Sequence, residues 1–178
     1  MAGYFSATTF RQVGNATTSQ VLLTIENIDA TKLVYVRRLL FQMDATAALT
    51  AVMPQIKVAR ATAVPTGGTT LNKAQFDTSN SSNANTIVRG STASDGGANS
   101  GPTATPDSSP LWQQYGMRLH TAVGQVLGLD NNVLPMLVDT QNLVLRQNQA
   151  LVVYVVAAAG TSNPATNHYF ASVVWEEN

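Results

Sequence analysis

The sequence predicts an all-β fold: a single β-sandwich, jelly-roll-like, with an extended N-terminal arm and a long polar surface excursion. Three observations carry that expectation. Apolar and polar residues alternate with period two in several short segments. Gly, Pro, Asn and Asp cluster between those segments, where turns are needed. No strand–helix–strand alternation is visible, and no internal repeat of about 20–50 residues. The chain has 178 residues, which fits one domain, and a hydrophobic fraction of 44% is enough for a core.

The opening MAGYFSATTFRQVGNATTSQ has no strong period but carries Tyr4, Phe5 and Phe10. It reads as an arm over residues 1–20 whose aromatic side chains pack on a neighbouring subunit. An edge strand of the chain's own sandwich is the alternative. The sandwich then spans residues 21–178. VLLTIENI (Val21 to Ile28) and LVYVRRLLFQM (Leu33 to Met43) alternate on either side of IDATK, with Asp29 placed to start a turn, and so read as a hairpin. In the second run Leu33, Tyr35, Leu39, Phe41 and Met43 share a face with Arg37. Adjacent strand residues face opposite ways, so one of Arg37 and Arg38 should aim at the core side. Both are therefore interface candidates, as half of an inter-subunit ion pair; an arginine snorkelling at a sheet edge is the competing explanation.

Ala45 to Val52 can form a helical turn or two, ended by Pro54. Gln55 to Val64 alternates again and stops at Pro65 to Gly68. TTLNKAQF is a weaker strand or edge segment, and NTIVRG a short strand. The tract from about 77 to 110 includes STASDGGANSGPTATPDSSP, which has no aromatic, Leu, Ile, Val or Met. Ordering a residue costs ~1–2 kcal/mol of backbone entropy, which such sequence cannot offset by burial. The expectation is a surface excursion ordered mainly by neighbouring subunits or by the surface of a larger assembly. Beyond it, Leu111, Tyr115, Leu119 and Val123 have helix spacing, but Gly116, Gly124 and Gly128 oppose a helix, so a strand near Trp112 to His120 and then irregular chain are expected. NLVLRQNQALVVYVVAAAG reads as a second hairpin around Gln147 to Gln149, and HYFASVVWEEN as a last strand followed by a charged, solvated tail.

Composition excludes several functions. Charged residues are 11% of the chain, against ~25% in a typical soluble domain. Lys and Arg total 10, matched by 10 Asp and Glu, so no positive field for nucleic acid is present. A near-neutral, weakly charged surface favours association. Without cysteine there are no disulfides or thiolate metal sites. The start is not that of a secretory signal, and the longest apolar run, ALVVYVVAAAG, is too short to span a bilayer. His120 and His168 lack ligand-type spacing, so no metal site is expected. There is no Gly-x-Ser-x-Gly elbow or phosphate loop. Glu26, Glu176 and Glu177 are the only glutamates; Glu26 with one of the seven Asp residues could in principle pair across a cleft, but no spacing points to it. Asp95 precedes two glycines but lacks the register of a calcium loop. The expectation is a protein with no catalytic residues and no cofactor.

One resemblance follows from sequence texture. The chain runs FRQVGNATTSQ, a strand ending VRRLLFQMD, ATAALTAVMP, VPTGGTTLNK, a Ser/Asn/Gly-rich tract, LVLRQNQALVVYVV and a final VVWEEN. This order resembles small virion structural proteins of tailed bacteriophages, the head decoration (cement) and related capsid-associated β-proteins. The resemblance implies a non-enzymatic, many-copy protein of the virion, assembled in the host cytoplasm. It implies a homo-oligomer, with a trimer favoured, in contact with the major capsid protein or other virion proteins, and it makes the capsid surface the assembly that would order the polar excursion. It assigns no residue roles. The alternatives are a tail or head–tail connector protein and a carbohydrate- or receptor-binding sandwich of a fibre or adhesin. In the last of these Trp112, Tyr115, Tyr169 and Trp175 would stack on sugar rings.

Overall fold

The alternating segments form strands, and among the described residues there is no helix. The structure is a computed structural model that describes residues 3–13, 19–45, 55–77, 85–91, 101–115, 134–136, 143–156 and 167–178. In chain order the strands are β1 (Gly3–Val13), β2 (Gln20–Asn27), β3 (Val34–Ala45), β4 (Gln55–Arg60), β5 (Thr66–Gly67), β6 (Thr69–Thr70) and β7 (Ala74–Gln75). Then come β8 (Thr86–Gly90), β9 (Pro102–Thr103), β10 (Trp112–Tyr115), β11 (Leu134–Met136), β12 (Val144–Leu145), β13 (Gln149–Val156) and β14 (Asn167–Glu177). The first sheet has the order β11-β3-β14-β1-β7, with β12 also paired to β3. The second has the order β10-β4-β13-β2-β8-β6, and β5 pairs with β9 apart from both. All these pairings are antiparallel.

Pairing is nested: β1 with β14, β2 with β13, β3 with β11 and β12, and β4 with β10. Successive long strands therefore change sheet, and the core lies between the two sheets. Phe5, Leu39, Phe41, Tyr169, Val173 and Trp175 from the first meet Leu23, Ile25, Val58, Leu151 and Val153 from the second. Phe5 stacks on Trp175 with ring centroids 5.7 Å apart, and Phe41 on Trp112 at 6.2 Å. The packing is sandwich-like, and each fully buried aliphatic or Phe side chain contributes ~1.5–3 kcal/mol.

Neither expected hairpin forms. β2 and β3 are consecutive but lie in different sheets, and so do β12 and β13. The turns between them are arches that cross the sandwich. Asp29 Oδ1 accepts from the Thr31 and Lys32 amides, as the sequence predicts for a turn starter. Arg146 to Gln149 closes by a Gln149 N–H to Arg146 carbonyl bond, with Asn148 at a φ of 59°. Non-local pairing wins because β13 is buried on both faces, which only a central strand satisfies.

The segment expected as an arm contains β1, which pairs with β14 from Gly3 to Val13 and briefly with β7. Phe5 points into the core and is 1% exposed. This matches the edge-strand alternative. The phase expected for Leu33 to Met43 is also corrected. Register shifts so that Trp175 pairs with Val36 and Val174 with Arg38, leaving Arg37 as an extra residue. Val34 and Val36 face inward before this bulge, Leu39 and Phe41 after it. Both arginines can therefore leave the core side. The charged tail is corrected too: Glu176 is 7% and Glu177 2% exposed, because β14 continues its alternation through them.

The polar excursion is largely bound to its own chain where it is described. Thr86–Gly90 is a strand of the second sheet. Residues 101–111 run beside β4 and its extension. The Thr62 amide donates to Thr105, Asp107 to Arg60, and Leu111 to Val58, at 2.7–2.9 Å. This run lays Ala104 on an apolar patch of Val21, Ala59, Val152 and Tyr154, on the outer side of the second sheet. Backbone hydrogen bonds tie the described part of this run to its own chain. Residues 78–84 and 92–100 lie outside the described residues, as do the helical turn expected at 46–52 and the 116–120 end of the Trp112 strand.

Candidate interaction face

The three long strands of the first sheet present a broad outer face. Inward residues of β1 and β14 alternate with outward ones, so the register stacks the outward residues in rows. The first row is Tyr4, Glu176 and Tyr35. The second is Ser6, Val174 and Arg38. Thr8, Ser172 and Leu40 form the third, and Phe10 with Phe170 the fourth. Tyr4 is 45% and Phe170 36% exposed, and Arg38 is exposed. Aromatic groups stand at both ends, and small hydroxyl side chains lie between them.

Four of the five interface candidates gather on this face: Tyr4, Phe10, Arg37 and Arg38. Phe5 is the exception, as a core residue. Phe10 and Phe170 are a cross-strand pair with centroids 4.7 Å apart, tilted by 51°. Arg37 makes an ion pair with Glu176 of its own chain, its Nε donating to Oε2 at 2.9 Å, and its guanidinium lies 5.1 Å from the Tyr35 ring centroid. The hydrogen bond to Glu176 holds the Arg37 pKa above its ordinary value. The partner expected in another subunit is thus supplied by the same sheet. Thr8 Oγ1 donates to Ser172 Oγ at 3.0 Å, and Ser172 Oγ donates to the Ala7 carbonyl at 3.2 Å.

The glutamates are the functional-looking groups that sequence reasoning passed over. All three are nine-tenths buried or more. Glu177 Oε1 accepts from Thr86 Oγ1 and, at 3.1 Å, from Trp175 Nε1, which ties the end of β14 to the second sheet. Lys73 Nζ donates to the Thr86 carbonyl at 3.0 Å, and burial pulls its pKa down, partly offset by Glu177. Glu26 lies on the outer side of the second sheet near Arg89, and burial raises its pKa. Glu176 and Glu177 face opposite sides of one sheet, so they do not make a carboxylate pair across a cleft. The available signal was that Trp175-Glu176-Glu177 extends the alternation begun at Tyr169.

Of the aromatic residues expected to stack on sugars, Trp175 is 0% and Tyr169 1% exposed. Trp112 is half-buried against Phe41, and the Tyr115 side chain lies outside the described residues. His120 and the His168 side chain also lie outside them. Among the described residues no group of three or more metal-ligating side chains occurs. No helix among them is long and apolar enough to cross a membrane. No family model, no curated protein and no solved structure matches the chain.

Proposed function

We propose that this chain is a non-enzymatic virion structural protein with a jelly-roll sandwich, which decorates or reinforces a bacteriophage capsid through contacts with its own copies and with capsid proteins. The observation that carries the reading is the nested pairing of first strand with last, second with penultimate, and so inward to β4 with β10. A doubled-back ribbon rolled into two facing sheets is the jelly-roll arrangement, whose recurrent hosts are viral coat domains and lectins. Fold alone does not choose between those two. The open face supports the coat-type role, because its aromatics are spread over a wide, nearly neutral surface suited to protein contact. The lectin alternative loses Tyr169 and Trp175, which are core residues. The test is immunogold electron microscopy of phage particles from the source culture, using antibody against the purified chain. Regular labelling of heads is the expected result. Particles that carry no label, with the chain found only free, would reject the reading.

A further inference from the structure

We infer that the outer face of the first sheet receives a second copy of this chain, the two sheets packing face to face about a two-fold axis parallel to β14. The inference deepens the structural role proposed above and names the partner of this face. Polar groups at the centre of this face are paired within the chain. Thr8 donates to Ser172, Ser172 donates to the Ala7 carbonyl, and Glu176 accepts from Arg37. Covering the Thr8–Ser172 pair leaves its donors satisfied, so that row can be dried at little cost, and Glu176 beside Arg37 is already only 7% exposed. A ligand read by hydrogen bonds, such as a glycan, would find them already engaged.

The face is also nearly neutral. Among the described side chains of this face, Glu176 and Arg37 neutralise each other, and Arg38 is the one remaining charge. A nucleic acid or a strongly acidic protein calls for several cations. A copy of a chain with net charge zero does not. A two-fold along the central strand places β14 over β14 and β3 over the partner's β1. Arg38 stands one strand, ~4.8 Å, to the side of that axis, and packed sheets are ~10 Å apart. The two Arg38 side chains then start ~14 Å from each other, beyond the ~8 Å over which salt leaves charges unscreened. Each faces the serine row instead of its own mate.

The face is also broad. Strands of 11 residues are ~37 Å long, and three of them at strand spacing are ~14 Å wide. The flat patch is ~500 Å² per copy, ~1,000 Å² for two before side-chain relief is added, which reaches the threshold for a specific interface. Alignment of strand directions across the contact is the ordinary geometry of stacked sheets.

The chain contains no cysteine, so single cysteines report on the contact cleanly. Ser172→Cys and Val174→Cys each place one thiol at the middle of β14, beside its symmetry mate. Ser109→Cys places one on an exposed residue of the segment that crosses the other sheet. With a short bis-maleimide, both central variants should give covalent dimers at micromolar concentration, and Ser109→Cys should not. Light scattering of the unmodified chain should give twice the monomer mass. Phe170→Glu should return the monomer mass with an unchanged circular dichroism spectrum. A monomer at ~100 μM, a trimer, or a dimer that cross-links through Ser109→Cys and through neither central cysteine would each overturn the inference. Labelled particles combined with a solution monomer would sink only this inference, whereas unlabelled particles combined with a cross-linked dimer would sink only the proposed function.

Discussion

Asn27 is the residue whose replacement should do most damage for its size. It is 0% exposed and ends β2 where the chain leaves the second sheet for the first. Its Nδ2 donates to the Lys32 carbonyl and to the Leu145 carbonyl, each at 2.8 Å, and its Oδ1 accepts from the Asp29 amide at 2.9 Å. Its own carbonyl accepts from the Asn148 amide at 2.7 Å. One side chain thus ties both arches, Ile28–Leu33 and Arg146–Gln149, to the same point. Asn27→Leu keeps the branched shape at Cγ, with somewhat larger volume, and removes three side-chain hydrogen bonds. At ~1 kcal/mol net for each, with further loss where a carbonyl or amide is left buried and unpaired, the expected cost is ~3–5 kcal/mol.

Asn27→Asp is the sharper probe, because it is isosteric and cannot donate to either carbonyl. Ionised, it would bring a buried charge against two carbonyl oxygens. Its variant should be less stable than Asn27→Leu at pH 7 and should recover as the new carboxyl is protonated at low pH. Urea unfolding measures both. With a slope of ~1–3 kcal/mol per molar, a loss of ~3 kcal/mol lowers the midpoint by ~1–3 M. A midpoint within ~0.3 M of the parent for either variant would refute the claim that these bonds hold the arches.

Four other outcomes are expected. Phe5→Ala should cost ~3–5 kcal/mol, as deletion of a buried aromatic does, whereas Tyr4→Ala one position away should cost under ~1 kcal/mol; equal effects in thermal unfolding would contradict the inward–outward phase of β1. Gly90→Ala should destabilise by ~1–3 kcal/mol, since a Cβ there would lie 2.4 Å from Thr9 Oγ1 and 2.6 Å from Thr9 Cβ; a neutral chemical-denaturation result would disprove that contact. Asn148→Gly should be neutral within ~0.5 kcal/mol, whereas Asn148→Val should lose ~1–2 kcal/mol, because a β-branched residue resists the positive φ found there. Burial holds the Glu26 carboxyl above its ordinary value, so the folded chain binds that proton more tightly than the unfolded chain does. That contribution is present below the ordinary carboxyl pKa of ~4.3 and is lost as pH rises toward the raised value. Glu26→Gln should therefore match the parent at pH 4 and exceed it in urea midpoint at pH 7; a less stable variant at pH 7 would reverse the sign.

The strands were legible in the sequence and their partners were not. Val21 to Ile28, Gln55 to Arg60, Thr86 to Gly90 and Ala150 to Val156 announce themselves by alternation or by β-branched runs. Which sheet each joins depends on pairings such as Gly3 with Glu177, and local periodicity carries no information on contacts so distant in sequence. The two false hairpins share that origin: turn residues such as Asp29 and Asn148 serve an arch between sheets as well as a turn within one. At Arg37-Arg38 the difficulty was visible, since one strand face could not take both, but the remedy is a bulge, and a one-residue phase shift leaves no mark on composition. The interface candidates were found by side-chain type alone. Tyr4 and Phe5 look alike in an unphased segment, and only pairing with Glu176 and Trp175 separates the outward residue from the inward one. Glu176 and Glu177 read as a solvated tail because they are adjacent charges after a strand, whereas Glu177 is held by Thr86 from a strand of the opposite sheet.

The two sheets differ in a way that bears on the open face. β2 and β13 are apolar on both sides, as VLLTI and ALVVYVV show, and both sides are covered: one by the first sheet, the other by the polar run that lays down Ala104. β1 and β14 alternate instead, with hydroxyl groups between aromatic ones, and the run that covers the second sheet does not reach them. Phe10 and Phe170 gain ~0.2–1 kcal/mol from their cross-strand contact, yet Phe170 is still 36% exposed, so apolar area is left to cover. A strand meant for the core would not hold Thr8, Ser172 and Arg38 between them. The pattern fits a surface that is wet in the free chain and dry in an assembly, which requires polar groups that can lose water without losing partners. Thr8, Ser172, Arg37 and Glu176 have their partners within one chain.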